Sequence, residues 1–163
     1  MMTSSVETFE LFAELALALG GFSGVAAAFG GRDREFREIE RNRLTAVFLF
    51  AAISLGEALL VIALTHAGIS PDQTYSITCL VSGLLLLLLL GIQFPPVVRL
   101  YRAGESTTSG VFLLVALLFF VSCGSMFFWA ALYEHESWPL VVGMSAQLMM
   151  GLWMFARLLL RSN

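Results

Sequence analysis

The sequence contains no lysine and few charged residues of any kind. Charged side chains account for 13% of its 163 residues, whereas hydrophobic residues account for 58%. An average soluble domain has about a quarter of its residues charged and close to half apolar. This composition excludes an ordinary soluble domain and indicates an integral membrane protein. A membrane span needs about 20 apolar residues, so the several runs of this length leave no room for an additional soluble domain.

Motifs that carry chemistry are also missing. The glycine-rich stretch that begins at Gly20 contains neither the lysine of a phosphate-binding loop nor the G-x-G-x-x-G pattern of a dinucleotide site. Cys79 and Cys123 are far apart and have no nearby histidine, which favours two small buried residues over a disulfide or a metal site. No serine, histidine and acid fall at a common depth. We therefore expect no enzyme activity, no cofactor and no metal.

Five apolar stretches predict five transmembrane helices in a single domain, residues 1–163. They cover residues 9–29, 44–65, 75–98, 110–133 and 139–160. The first run follows acidic residues rather than a basic segment, so we expect it to be retained and not cleaved as a signal peptide. Pro95 and Pro96 should end or kink the third span. The fold class is thus an all-α integral membrane protein, which we expect to form an oligomeric helical bundle.

The first span is the weakest of the five predictions. It carries Glu14 and the glycine pair Gly20 and Gly21, so a re-entrant or interfacial N-terminal helix followed by four spans stays open as an alternative. The arginines favour the five-span layout, because all nine fall in the first and third connections or at the C-terminal end. By the positive-inside rule the N-terminus is then outside and the C-terminus cytoplasmic. The outer side would carry six acids and no arginine.

Glu57 is the most informative single residue. It lies in the middle of the second apolar stretch, where an ionised side chain costs at least a few kcal/mol and usually faces a protein interior or a water path. It is therefore either protonated and hydrogen-bonded or in contact with water and ions. The polar residues at comparable depth, which are candidate partners, are Ser54, Ser122, Ser125 and Gln147.

Two interpretations of Glu57 stay open. It can be a buried hydrogen bond that links helices, or it can bind protons or cations in a path lined by Glu57, Glu14, Ser54 and Gln147. In an oligomer, a ring of Glu57 side chains around the axis would favour cations.

Small residues recur at helical spacing in two of the spans. Gly20, Gly24 and Ala28 follow one another at every fourth position, a spacing that lets two helix backbones approach closely in lipid. Gly143 and Gly151 flank Gln147 on one face of the fifth span. Both patterns predict surfaces for helix packing.

The segment from Arg32 to Arg43 is too charged to lie in lipid. Its arginines anchor the topology, and they also form a candidate site for an anionic ligand because guanidinium groups match phosphate geometry. The residues of this candidate site are Arg32, Arg34, Arg37, Arg41 and Arg43. A nucleotide, an oligonucleotide or anionic lipid would fit it.

The stretch "GFSGVAAAFGGRDREFREIERNRL" resembles a motif of small bacterial multi-span membrane proteins. These proteins share an acidic N-terminal helix, a G-F-[SA]-G run and an arginine-rich turn. Some proteins of this kind are membrane effectors of anti-phage systems, as in Hailong-type systems, where a partner nucleotidyltransferase makes the nucleotide or oligonucleotide that controls the effector. The resemblance implies a gated pore in the bacterial cytoplasmic membrane, and it transfers no site residue.

The sequence thus leads to one hypothesis and its alternatives. We expect a homo-oligomeric ion channel, a defence effector gated from the cytoplasm by an anionic nucleotide or oligonucleotide. Its partners would be further copies of the chain, membrane lipid and a cytoplasmic nucleotidyltransferase or its product. The alternatives are a non-conducting structural or regulatory membrane subunit and a small transporter.

Overall fold

Five α-helices make up the described part of the chain. The computed structural model describes residues 2–30, 38–104 and 110–159, and within them all side chains but those of residues 2–5, 29, 30, 39, 112 and 159. The helices are α1 (Met2–Gly30), α2 (Glu38–His66), α3 (Pro71–Arg102), α4 (Gly110–Trp129) and α5 (Trp138–Leu159), and α4 continues into a π-helical turn at Ala130–Glu134. The described residues contain no strand. The predicted all-α fold is confirmed.

Each helix contains a segment long and apolar enough to cross a membrane. These segments are Val6–Ala28, Glu40–His66, Pro71–Arg102, Leu113–Glu134 and Trp138–Leu158. Lipid offers no partner to backbone N–H and C=O groups, so a chain this apolar satisfies them within helices. The protein is therefore a multi-pass membrane protein, and each of the five predicted stretches coincides with one of the helices.

The first helix belongs to the bundle. It is continuous through Gly20 and Gly21, whereas a re-entrant segment would turn back at such a point. It packs along α2 so closely that a Cβ added at Gly20 would lie 3.8 Å from the Cβ of Ala51. The alternative of a re-entrant or interfacial N-terminal helix is therefore not what the structure has.

Helix α2 lies at the centre of the bundle, where it contacts α1, α3 and α5. The helices alternate in direction, so the described arginines lie at one end, together with Glu38 and Glu40, and Asp72, Glu134 and Glu136 lie at the other. We call the end with the connections 67–70 and 135–137 the acidic end, where the rings of Phe9 and Tyr75 lie 6.4 Å apart. The opposite end is the arginine end, where Glu38 of α2 forms an ion pair with Arg99 of α3. The middle of α2 consequently buries Ser54 and Glu57, whereas Gly56 and Leu59 are exposed.

Helix α3 does not end at its proline pair. It continues through Pro95 and Pro96 to Arg102, so the prediction that they end the span is wrong and the predicted kink stays a prediction. A proline lacks the N–H that would bond to the fourth residue before it. Membrane helices tolerate this loss because neighbouring groups satisfy the released carbonyls.

The acidic end of α4 departs from regular α-helix. Its π-helical turn is closed by a bond from the His135 N–H to the Ala130 carbonyl at 3.3 Å, and His135 has a left-handed backbone with φ 52°. The imidazole Nδ1 lies 2.6 Å from the Ser76 hydroxyl of α3. This contact ties the connection between α4 and α5 to the start of α3.

Candidate functional site

Glu57 lies inside the bundle, in a hydrogen-bonded set that joins α2 to α5. Its side chain is 1% exposed. The Nε2 group of Gln147 donates to both carboxyl oxygens, at 3.1 and 3.3 Å. The Ser54 hydroxyl donates to Oε1 of the same amide at 3.2 Å. Ser54 and Glu57 are three residues apart, which places both on the α2 face that meets α5.

The surroundings of the carboxyl are polar but uncharged. The hydrogen-bond donor is the neutral Gln147 amide, and the neutral Ser82 hydroxyl of α3 lies beside the carboxyl. An ionised carboxylate taken out of water costs several kcal/mol unless a cation offsets the loss of hydration. The neutral acid is therefore the form that this arrangement accommodates.

Ser82 ends a row of hydroxyl groups on α3 that begins near the acidic end. Thr74, Thr78 and Ser82 are fully buried and follow one another at every fourth position, so they share one helix face. We call them the α3 hydroxyl stripe. The Thr78 hydroxyl donates to the Thr74 carbonyl at 2.8 Å. The Thr74 and Ser82 hydroxyls have no hydrogen-bond partner among the described residues, and we call these two the open hydroxyls.

The bundle becomes apolar between Glu57 and the arginine end. Leu86 and Leu89 continue the inner face of α3 and are almost fully buried. The ring of Phe50 from α2 stacks against that of Phe120 from α4, with centroids 6.0 Å apart. These four side chains belong to one buried cluster, which we call the apolar layer.

The structure brings together only some of the residues predicted to line an ion path. Ser54 and Gln147 lie with Glu57, whereas Glu14 is exposed on α1. Of the other candidate hydrogen-bond partners of Glu57, Ser122 and Ser125 are exposed on α4. A ring of Glu57 side chains around a symmetry axis would need Glu57 on the outer surface of the protomer. Because Glu57 is buried, an ion path that includes it runs through the interior of each protomer.

The predicted packing residues contact neighbouring helices of the same chain. Gly24 meets the ring of Phe48, with 3.8 Å between an added Cβ and Cζ, and Gly20 meets Ala51 in the same way. A Cβ at Gly151 would lie 3.0 Å from Leu19, and one at Gly143 would overlap the ring of Phe127. Ala28, in contrast, is exposed near the end of α1.

Only part of the predicted anionic-ligand site can be located. Arg32, Arg34 and Arg37 lie outside the described residues, Arg41 is exposed and Arg43 is buried.

A polar cleft of about 250 Å³ opens at the arginine end between α2 and α3. It is lined by Glu38, Arg41, Asn42, Thr45, Pro96, Arg99 and Leu100. Sequence analysis did not assign Arg99 to this site, and its ion pair with Glu38 joins two helices that are distant in sequence.

Comparison of the chain with protein-family models, with curated proteins and with solved structures finds no match. The functional argument therefore depends on the geometry around Glu57.

Proposed function

We propose that the protein conducts protons or small cations across the membrane, and that the ion-binding group is Glu57 within each protomer. The observation that carries this proposal is an acid, 1% exposed at the centre of a span, whose neighbours are neutral. A glutamine at this position could bond to Gln147 equally well without the cost of a carboxyl in the membrane. What only the acid supplies is a proton that can leave and return.

Gln147 and Ser54 act as positioning residues in this proposal. The Ser54 hydroxyl occupies Oε1 of Gln147, which leaves Nε2 directed at both oxygens of Glu57. An N–H donor strengthens its bond when the acceptor becomes charged. The amide therefore stabilises the carboxylate during the interval in which Glu57 has released its proton to one side and has not yet received another from the opposite side.

The wider role is also a proposal. We place the chain in the bacterial cytoplasmic membrane, with the acidic end outside, as a homo-oligomer. Support for self-association comes from an apolar groove of about 420 Å³ between α1 and α5, which a helix of a second copy or a lipid chain can fill. The groove is lined by Phe12, Leu15, Ala18, Leu19, Phe22, Ser145, Leu148, Met149, Leu152 and Phe155.

Gating by an anionic ligand, as in a defence effector, is supported only by the polar cleft at the arginine end. Its exposed guanidinium groups are those of Arg41 and Arg99, and Arg99 is paired with Glu38. If this proposal holds, Arg41→Gln lowers the concentration-dependent response of ion flux to an added nucleotide, while leaving the flux without nucleotide unchanged.

The test of conduction is ion flux through purified protein in liposomes. We expect the wild type to dissipate a proton or cation gradient and Glu57→Gln to lower the rate at least about tenfold, because the glutamine keeps the shape and the bond to Gln147 but cannot release a proton. Glu14→Gln is the matched control, since it makes the same change at an exposed acid, and it should keep the wild-type rate. Liposomes that stay tight with folded wild-type protein overturn the proposal.

A second candidate is a non-conducting membrane subunit. The observation in its favour is that both oxygens of Glu57 already accept bonds from Gln147, as expected for a link between helices. This candidate predicts that induced expression leaves the membrane potential of cells unchanged, for the wild type and for Glu57→Gln alike. Depolarisation by the wild type alone excludes it.

A further inference from the structure

We infer that water reaches Glu57 only from the acidic end, along the α3 hydroxyl stripe, while the apolar layer closes the side toward the arginine end. The inference rests on the proposed function, because it states from which side the ion-binding group of that proposal is filled in this conformation. Two observations support it. The open hydroxyls lie toward the acidic end from Glu57 or beside it, and four tightly packed apolar side chains lie toward the arginine end.

The open hydroxyls are the first part of the argument. A buried polar group that is left without a partner has lost its hydration without compensation, and the stripe contains two such groups, at Thr74 and Ser82. Water is the partner that compensates for this loss, provided that other polar groups hold it in place. Ser82 and the Glu57 carboxyl supply such groups at one end of the stripe, and the Thr74 hydroxyl supplies one at the other.

The spacing of the stripe also suits bridging by water. Four residues of α-helix rise about 6 Å, so successive hydroxyls at Thr74, Thr78 and Ser82 are too far apart to bond to each other. One water molecule between each pair bridges that distance. A proton that enters as hydronium at the acidic end then passes along these waters and binds to the Glu57 carboxylate.

The acidic end favours the entry of positive charge. The titratable groups near the start of the stripe are Asp72, Glu134, His135 and Glu136, which lie in the first turn of α3 and in the connection that follows α4. The acids give this end a negative potential, which raises the local concentration of protons and cations. His135 is held there by its contact with Ser76.

The arginine end lacks a comparable route among the described side chains of α3. The next buried polar side chain after Ser82 is Gln93, eleven residues on and hence about 16 Å farther along the helix. Leu86 and Leu89 occupy the buried positions between them, against Phe50 and Phe120. An apolar constriction of this kind excludes water and blocks ions without a charged barrier.

Thiol accessibility tests the inference. The background carries Cys79→Ala and Cys123→Ala, since the native thiols are free. Thr78→Cys and Ser82→Cys report on the stripe, and Leu86→Cys and Leu89→Cys report on the apolar layer. A charged, membrane-impermeant thiol reagent is applied to oriented proteoliposomes from one side and then from the other. Ser70→Cys and Ala103→Cys, both at exposed positions, identify the acidic and the arginine side.

We expect both stripe variants to react from the side that modifies Ser70→Cys, and neither layer variant to react from either side. Modification of Leu86→Cys or Leu89→Cys from the arginine side overturns the inference. So does a folded protein in which neither stripe variant reacts.

A flux measurement separates this inference from the proposed function. Thr78→Val keeps the shape of the side chain and removes its hydroxyl, so we expect flux to fall at least about fivefold. Thr65→Val makes the same change at a half-buried position of α2, where the hydroxyl donates to the Val61 carbonyl of its own helix, and should have no effect. Flux that depends on Glu57 but not on Thr78, with unreactive stripe variants, overturns the inference and leaves the proposed function standing. Reactive stripe variants in a protein without flux overturn conduction and support one-sided access of water.

Discussion

Gln147 is the centre of the buried polar set, since its amide uses one atom for each of two partners. Its Nε2 group bonds to Glu57 and its Oε1 atom to Ser54. Glu57 and Ser54 are each linked to α5 through this one amide, whereas Gln147 holds both of them. Substitutions at the three residues should therefore have unequal effects on stability.

We predict that Gln147→Leu lowers the free energy of unfolding by about 1–3 kcal/mol, because it leaves two buried polar side chains without their partner. Ser54→Ala removes a single bond and should cost about 1 kcal/mol or less, in the range measured for hydrogen bonds between membrane helices. Thermal unfolding of the purified variants in detergent makes the comparison. The double variant Glu57→Gln with Gln147→Glu exchanges the carboxyl and the amide. Its free energy of unfolding should therefore be closer to that of the wild type than that of Gln147→Leu is. Equal losses for Gln147→Leu and Ser54→Ala would contradict this order.

Gly143 is required by the ring that faces it. A Cβ at this position would overlap Phe127, whose side chain is fully buried and cannot move away freely. We predict that Gly143→Ala costs about 1–3 kcal/mol through overpacking. Gly56→Ala is the control, because a Cβ added there meets nothing within 4 Å, and the melting temperature should stay the same or rise. A Gly143→Ala variant as stable as this control would contradict the packing.

The contact between α1 and α2 depends on which face of α1 carries the small residues. Gly20 faces Ala51, whereas its neighbour Gly21 has open space around it. We predict that Gly20→Leu separates the two helices and lowers the melting temperature, and that Gly21→Leu does not, since its side chain enters lipid. The pair makes the same change at adjacent positions, so helix propensity cancels. Equal melting temperatures would mean that α1 packs through another face.

Helix ends were predicted less well than helix centres. Helix α2 begins at Glu38 and α3 spans Pro71–Arg102, whereas the apolar stretches predict residues 44–65 and 75–98. Hydropathy detects the part of a helix that lies in hydrocarbon, but helical hydrogen bonding continues among polar residues such as Glu40 and Arg99. The sequence therefore predicts the number and order of the spans and underestimates the lengths of α2 and α3.

The candidate site was predictable where a side chain had one physical outcome. A carboxyl and an amide in the middle of apolar helices must find partners, so depth placed Gln147 among the four candidate partners of Glu57. A hydroxyl differs, because it can bond to a carbonyl of its own helix, as Ser23 does to Leu19 at 2.7 Å. Sequence analysis therefore did not identify the open hydroxyls of Thr74 and Ser82.

The position of the described arginines at one end of the bundle leads to a prediction of orientation. In intact cells, an impermeant thiol reagent should modify Ser70→Cys, and Ala103→Cys should react only after the membrane is permeabilised, because arginine-rich segments stay in the cytoplasm. Both positions are exposed in connections, and the background lacks Cys79 and Cys123. The opposite pattern would invert the orientation while leaving the five-helix fold unchanged.

The proline pair in α3 has a mechanical consequence. Pro95 and Pro96 cannot bond to the carbonyls of Gly91 and Ile92, so the helix resists bending less at this level than above or below it. The segment beyond, residues 97–102, carries Arg99 and is fastened to the start of α2 through Glu38. A displacement of the arginine end therefore bends α3 at the proline pair rather than along its whole length. The part of α3 before Pro95 then keeps Ser82 beside Glu57.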